Sequence, residues 1–457
     1  MHGLPVLVLL LAVGAAIRVT AAPTIAPLPC FVVPEGSDYV AVLHLDDWVS
    51  DPEAEDRDLV WTLSGGGALK AELTVDRHLV VRTPDPDWFG SEELLLQVCD
   101  PAGACATQTV SLTVENLPDA PVIEPIPTQV TGGGDPFRPL RLSDYGRDPD
   151  RDPRGLTWEV VESGPLVVRV DGGKAEVDCP DPEWIGTATV RFRATDADGM
   201  TTERDVVYVA TERRPVLITY VGVEGFLIEW GSTKILIDGL LSSGFPFGES
   251  LRARMRSAGQ PFDDLTVALT THAHYDHFDP QYVVDHLLSD PQTRFVSIAE
   301  VTDELAVQPG YAAVADRVTT LAFHDGDETT FTMGDATITA IHAYHVGQGE
   351  IPCLAYLIDL GGMRILHVGD VAMASMETGL LSHGLAERDI DVALVNFGRL
   401  IPPEGPALIR DGVHARYVIP MHFRTTDIRS AMRLIDGTLD NLVWISEPMQ
   451  TWIVPEK

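Results

Sequence analysis

Two seven-residue strings, PDPDWFG at Pro84 to Gly90 and PDPEWIG at Pro180 to Gly186, stand 96 residues apart and constrain half of the chain at once. Around them the spacing persists. LVWTL at Trp61 returns as LTWEV at Trp158, 97 residues on, and VCDPAG with Asp100 returns as ATDADG with Asp196, 96 residues on. Three matches displaced by 96 or 97 residues define a tandem repeat, in which each copy must be a self-sufficient unit. Within each copy run short alternating segments such as ELLLQV, TVSLTV, ATVRFRA and DVVYVA, separated by Gly, Pro and Asp turns. Period-two alternation broken every few residues predicts an all-β sandwich of about a hundred residues. The proline-rich link SLTVENLPDAPVIEPIP places the boundary near Leu117 to Ala120.

With its PDxxWxG turn, D-x-x-G hairpin and xPDAPV linker, this first half resembles the tandem immunoglobulin-like or cadherin-like repeats of exported bacterial proteins. The resemblance spans roughly residues 23 to 211 and implies docking or spacer domains. In such families junction aspartates sometimes hold calcium, and the candidates here are Asp46, Asp47 and Asp51 in the first copy and Asp144, Asp148, Asp150 and Asp152 in the second. Hard carboxylate oxygens suit that ion, although Asp also fills ordinary turns.

Beyond Arg214 the texture changes. All histidines except His2, His44 and His78 lie there, and amphipathic segments such as ESLRARMRSA and PQYVVDHLL alternate with β-runs such as TKILID, LTVALTT, ATITAI, CLAYLI, MRILHV and ARYVIP. Strands alternating with helices predict one α/β domain. Its densest chemistry is THAHYDHFD, Thr271 to Asp279. His272 and His274 follow an extended run, so alternate positions place them on one side, and Asp276 and His277 come after a short turn. Imidazole and carboxylate suit zinc, manganese or iron. HAYHVG adds His342 and His345, RILHVGD adds Asp370, and VIPMH adds His422, each where a strand ends. Strand ends are where α/β folds build sites. Isolated histidines such as His44, His78, His286 and His383 carry no such context.

The segments GVEGFLIEWGSTKILIDG, THAHYDH, AYH, HVGD and IPMH stand in the order found in the metallo-β-lactamase fold superfamily. From Pro215 onward the chain resembles its metal-dependent hydrolases, specifically the ascorbate-lactonase-like branch. The resemblance implies a four-layer αββα domain with two divalent ions, zinc by default and manganese or iron as alternatives. His272, His274 and His345 would hold the first, Asp276, His277 and His422 the second, with Asp370 bridging. Asp238 would be a structural carboxylate. Two cations about 3.5–4 Å apart make hydroxide available near pH 7. Asp276 would orient it, and the leaving group would take its proton from a metal-bound water or from a side chain such as His342 or His324.

The expected organisation is therefore a signal peptide over 1–21, sandwiches over 22–118 and 119–212, and a hydrolase domain over 213–457. Leu4 to Ile17 is one apolar run, shorter than the roughly 18 residues that span a bilayer, and Val19-Thr20-Ala21 offers small residues for cleavage. A secreted, periplasmic or cell-surface protein follows, although a basic n-region is missing and Arg18 follows the run. Cys99 and Cys105 flank the turn-like DPAGA and are expected to pair across a hairpin, while Cys353 lies in an apolar strand as a buried small residue. A net charge of −36 argues against nucleic acid, whose phosphates would be repelled. The reading is an exported hydrolase of a small ester, lactone or phosphodiester. The alternative is a binding or adhesion protein acting through its sandwiches, with the hydrolase domain incidental. Phe245, Phe247, Phe397 and Leu400 are candidates for an apolar pocket wall.

Overall fold

The computed structural model describes residues 21–150, 155–181, 183–243, 247–322, 324, 326–345, 351–372, 376, 380–423 and 428–457. Residues 1–20 of the signal-peptide segment, Asp152 and Phe245 lie outside them. The chain divides into two compact units, with the boundary in sequence between Asp119 and Ala120.

The first unit is a β-sandwich. One sheet orders Phe31–Pro34, Cys105–Glu115, Gly90–Cys99 and Val60–Gly65, and the other Ala41–His44, His78–Arg82 and Lys70–Leu73. The second copy repeats this plan strand for strand. Gln129–Gly132, Thr201–Thr211, Gly186–Thr195 and Thr157–Glu162 form one sheet, and Leu140–Arg141, Lys174–Asp178 and Val167–Asp171 the other. In both, the first short strand runs parallel to its neighbour, Phe31 opposite Leu112 and Gln129 opposite Tyr208. The sequence repeat is thus a repeat of topology.

The recurring turn has a steric basis. A Cβ at Gly90 would meet the Trp88 ring at 3.3 Å, and one at Gly186 would meet Trp184 at the same distance. Each Trp folds back over its own Gly to pack against the sandwich core. The recurring aspartates close hairpins, Asp100 accepting from the Ala104 N–H and Asp196 from those of Asp198 and Met200. Cys99 stands opposite Cys105 at the end of one such hairpin and is disulfide-bonded to it. Several of the calcium candidates are engaged otherwise. Asp46 pairs with Arg77, Asp51 caps the Glu53 and Ala54 N–H groups, and Asp144 accepts from Arg141 and from the Gln260 N–H.

The α/β part has two sheets. The first contains β1 (Leu217–Gly222), β2 (Gly225–Trp230), β3 (Thr233–Ile237), β4 (Val267–Leu269), β5 (Arg294–Ile298) and β6 (Val318–Leu321). The second contains β7 (Glu328–Met333), β8 (Ala336–Tyr344), β9 (Pro352–Leu360), β10 (Met363–His367), β11 (Val392–Asn396) and β12 (Tyr417–Met421). A last strand, β13 (Thr451–Ile453), returns to pair with β1. Spatial orders are β6-β5-β4-β3-β2-β1-β13 and β7-β8-β9-β10-β11-β12. Each sheet begins with antiparallel hairpins and continues with parallel strands, β3 to β6 and β10 to β12. Parallel strands buried on both faces read as unbroken apolar runs, which ILI, VAL, VALV and YVIPM are.

One continuous core joins the two sheets to helices α1 (Glu249–Ser257), α2 (Pro280–Ser289) and α3 (Ala299–Ala306), through residues such as Leu251, Met255, Val283, Leu287, Val301 and Leu305. Helix α2 starts where it does because Asp279 accepts from the Gln281 and Tyr282 N–H groups, with Pro280 at the first position. That cap immediately follows the ligand-bearing loop and fixes its exit.

The second sandwich and the α/β part share a polar seam. Gln260 makes three hydrogen bonds across it, accepting from the Arg141 N–H and donating to Pro139 O and Asp144 Oδ2. The buried Arg254 guanidinium lies 4.4 Å from the centre of the Tyr145 ring, and Arg138 and Arg141 both reach Asp263 Oδ2 at 2.9 Å. Behind Asp263 the buried Lys234 ammonium donates to Asp263 Oδ1 at 3.2 Å. Burial pulls Lys234 below the ordinary lysine range even with Glu229 and Asp263 beside it, so the pair contributes little net stability while breaking it is costly.

Burial alone would raise the Asp263 carboxyl, but Lys234, Arg138 and Arg141 outweigh it and hold it below the ordinary aspartate range. The folded state therefore binds this proton less readily than the unfolded chain. The stability it contributes is complete above an ordinary pKa of about 3.9 and is lost as pH falls through the lower folded value. Asp263→Asn should cost about 1–3 kcal/mol at pH 7 and lose less stability than the wild type on acidification. Denaturant titrations followed by circular dichroism between about pH 5 and pH 3 check this, and an unchanged acid slope would contradict it.

Candidate metal centre

The clustered histidines and carboxylates converge at the C-terminal ends of the parallel strands. Asp238 follows β3, Thr271 to His277 follow β4, Asp370 follows β10, Asn396 ends β11 and His422 follows β12. His345 arrives from the second sheet, one residue past β8, and is held by an isolated bridge to Val371.

Asp238 organises the ligand loop. It is buried, with left-handed backbone (φ +46°). Its Oδ1 accepts from the Thr271 N–H at 2.8 Å, and its Oδ2 accepts from Thr271 Oγ1 at 2.7 Å and lies 2.8 Å from His277 Nδ1. With Nδ1 turned to a carboxylate, His277 presents Nε2 to the site, which is how ligating imidazoles are oriented.

Asp370 is the meeting point. Its Oδ1 accepts from the Asn396 side-chain amide. Its Oδ2 lies 3.0 Å from His345 Nε2, 3.3 Å from His422 Nε2 and 3.6 Å from His277 Nε2. Burial opposes the charge on Asp370, but these three imidazoles outweigh it and hold the carboxyl far below the usual range. His272 is the counterpart: burial first, then His277, keeps it well below an ordinary histidine, and its ring is neutral at pH 7. His272 Nε2 and His274 Nδ1 stand 2.9 Å apart.

The donor set fits divalent cations. Ligand atoms within 4.8 Å of one another come together as His272, His274 and His345; as His272, His277 and Asp370; and as Asp276, His277 and His422. Among the described residues His277 Nε2 and His422 Nε2 are buried without a hydrogen bond. Two imidazole nitrogens left so beside a carboxylate oxygen are groups that a cation would satisfy.

His342 belongs to none of these groups. It precedes His345 by three residues, an odd step that sends side chains of an extended chain to opposite faces. It is buried there with its ring against the His324 N–H and Thr329 Oγ1. Its position gives no support to the proton-carrying role expected from sequence. The apolar wall also resolves. Leu400 and Phe247 are core, whereas Phe397 is partly exposed and stacks on Phe423 at 5.3 Å, next to His422. Tyr275, within the ligand loop, is 64% exposed. Sequence reasoning missed Asn396, Arg399, which donates to the Asp370 and Val371 carbonyls, and Glu224, an acid buried in an otherwise apolar strand-turn-strand run.

Asp238→Asn removes the charge opposing His277 and one acceptor for the ligand loop. Metal affinity should fall about 10–100-fold, measured by competition with a chromophoric chelator. Unchanged affinity would show that Asp238 does not orient His277.

Comparison with known proteins follows the same division of the chain. Residues 233–437 match the family model described as beta-lactamase superfamily domain, and residues 21–113 match that of the bacterial Ig domain. A UPF0173 metal-dependent hydrolase of Symbiobacterium thermophilum is 31% identical over 157 residues, 33% of this chain and 69% of that protein. One of Heliobacterium modesticaldum is 23% identical over 250 residues, 51% of this chain and 95% of that protein. A solved metallo hydrolase of Ignicoccus hospitalis aligns at 18% identity with a TM-score of 0.38, over 53% of this chain and 99% of its own. With its histidine and aspartate groups gathered at the strand ends behind an Ig-like β-sandwich region, this chain belongs to the UPF0173 metal-dependent hydrolases.

Proposed function

We propose that the protein is an exported hydrolase that holds two divalent cations, zinc by preference, and cleaves a small ester, lactone or phosphodiester. The observation that carries this reading is the convergence of three imidazole nitrogens on one oxygen of Asp370, with His272 and His274 alongside. Two cations bound there would supply hydroxide at neutral pH and stabilise negative charge developing on the substrate.

The chain's own residues do the rest. His272, His274 and His345 form one set of donors; Asp276, His277 and His422 form the other, shared through Asp370. Asn396 holds Asp370 by its far oxygen, so that the near one faces the three histidines. Asp276, whose Oδ2 lies 3.6 Å from His422 Nε2, would orient a nucleophilic water. Phe397 and Tyr275 offer aromatic surface beside the ligands, which favours a substrate with an apolar portion. Export is supported by the Cys99–Cys105 disulfide, since such bridges persist in oxidising compartments, and by the apolar N-terminal run.

Elemental analysis of the purified full-length chain should find about two equivalents of transition metal. His272→Ala and Asp370→Ala should each lower that content and bring hydrolysis of a lactone, ester and phosphodiester panel to background. Failure to bind stoichiometric metal after reconstitution with zinc and manganese would overturn the proposal.

A further inference from the structure

Glu224 lies in the turn between β1 and β2. It is wholly buried, and neither carboxylate oxygen has a hydrogen bond among the described residues. The acids around it are differently served: Asp238 is held by Thr271 and Asp370 by Asn396. The Glu224 carboxylate shares one 4.8 Å group with Asp370 and His422 and another with Asp238 and His277. Its Oε2 stands 3.8 Å from His277 Nδ1, the nitrogen turned to Asp238, so the group with Asp370 and His422 is the one that faces the ligand side of the centre. A buried carboxyl whose two oxygens accept no hydrogen bond is costly to keep in a folded protein.

The backbone that delivers it is strained. Val223, a β-branched residue, has φ +53°, and His422 has φ +70°. Such conformations persist only where the surrounding fold over-determines them. Here the His422 N–H donates to Val223 O at 2.7 Å, Val223 bridges to Phe423, and His367 Nε2 donates to Glu224 O at 2.9 Å. These contacts lock the two left-handed residues together and bring Glu224 and His422 to the same point.

We propose that Glu224 supplies an oxygen donor to the cation position formed by Asp276, His277 and His422, making the two positions of the centre chemically unequal. This rests on the binuclear reading above and deepens it. The position formed by His272, His274, His345 and Asp370 is nitrogen-rich, with three imidazoles and one carboxylate, a zinc-type set. The other becomes oxygen-rich, with Asp276, Asp370 and Glu224 joining two imidazoles. A larger, harder set of this kind suits manganese or iron(II).

The test is metal competition on the full chain. Protein stripped with chelator is reconstituted in zinc with a large excess of manganese, which offsets the generally higher affinity of N/O sites for zinc, and bound metal is read by elemental analysis and by the manganese(II) electron paramagnetic resonance signal. Wild type should retain about one equivalent of each. Glu224→Gln and Glu224→Leu should weaken manganese binding by about 100-fold or more while keeping the zinc equivalent, which also reports that the variant has folded. Glu224→Asp, one methylene short, should hold both ions with intermediate manganese affinity. Wild-type stoichiometry and metal identity in both Gln and Leu variants would overturn the assignment. Two zinc ions and no manganese in the wild type would overturn the inequality of the positions. A wild type that binds no metal would instead overturn the binuclear reading itself.

Discussion

Asp238 sits at the end of β3 in a left-handed conformation, and both of its oxygens engage the segment that follows the neighbouring strand β4. Because β3 and β4 are parallel neighbours, the carboxylate reaches across one strand spacing to hold Thr271 and His277. The ligand loop is thereby fastened at two points before any cation arrives. Its exit is fastened separately, by the Asp279 cap of α2. Preorganisation of this kind means that binding metal need not also order the loop, which is the main cost that weakens flexible sites.

The same region concentrates buried acids among the histidines. Asp238, Asp276, Asp370 and Glu224 are all buried within a few residues of strand ends, against histidines and the main-chain-bound Arg399. Asp370 is stabilised as an anion by three imidazoles, while the Glu224 carboxyl is pushed well above its usual range by burial and then by Asp370. Left-handed backbone at Val223, Asp238 and His422 marks the same place as the one where the chain has been bent to suit chemistry.

The second sandwich is attached to the α/β part through polar groups rather than an apolar face. Gln260, Arg254 and Asp263 lie on the segment running from α1 towards β4, the strand that carries the ligand loop. Hydrogen bonds from Arg138 and Arg141 and the Tyr145 ring over Arg254 therefore buttress the segment leading into the site. Directional contacts of this type specify one arrangement, because each leaves a buried polar group unpaired if the surfaces slide.

Much of this was legible in the sequence. The tandem displacement revealed two copies of one topology because strand period and turn chemistry are local, and the Trp-over-Gly turn recurs wherever its residues do. The Cys99–Cys105 hairpin and the H-x-H-x-D-H cluster are equally local, as are the strand ends carrying His345, Asp370 and His422. Tertiary structure alone decided which oxygen of Asp370 faces the histidines, because Asn396 arrives from a different strand. It also decided which of His342 and His345 faces the site, since a parity that is plain on a strand cannot be assigned to a site until the strand has a neighbour. Glu224 is the clearest case. In sequence it is one acid in an apolar run, and it becomes part of the centre only because two strained residues far apart in the chain, Val223 and His422, are hydrogen-bonded to each other across the fold.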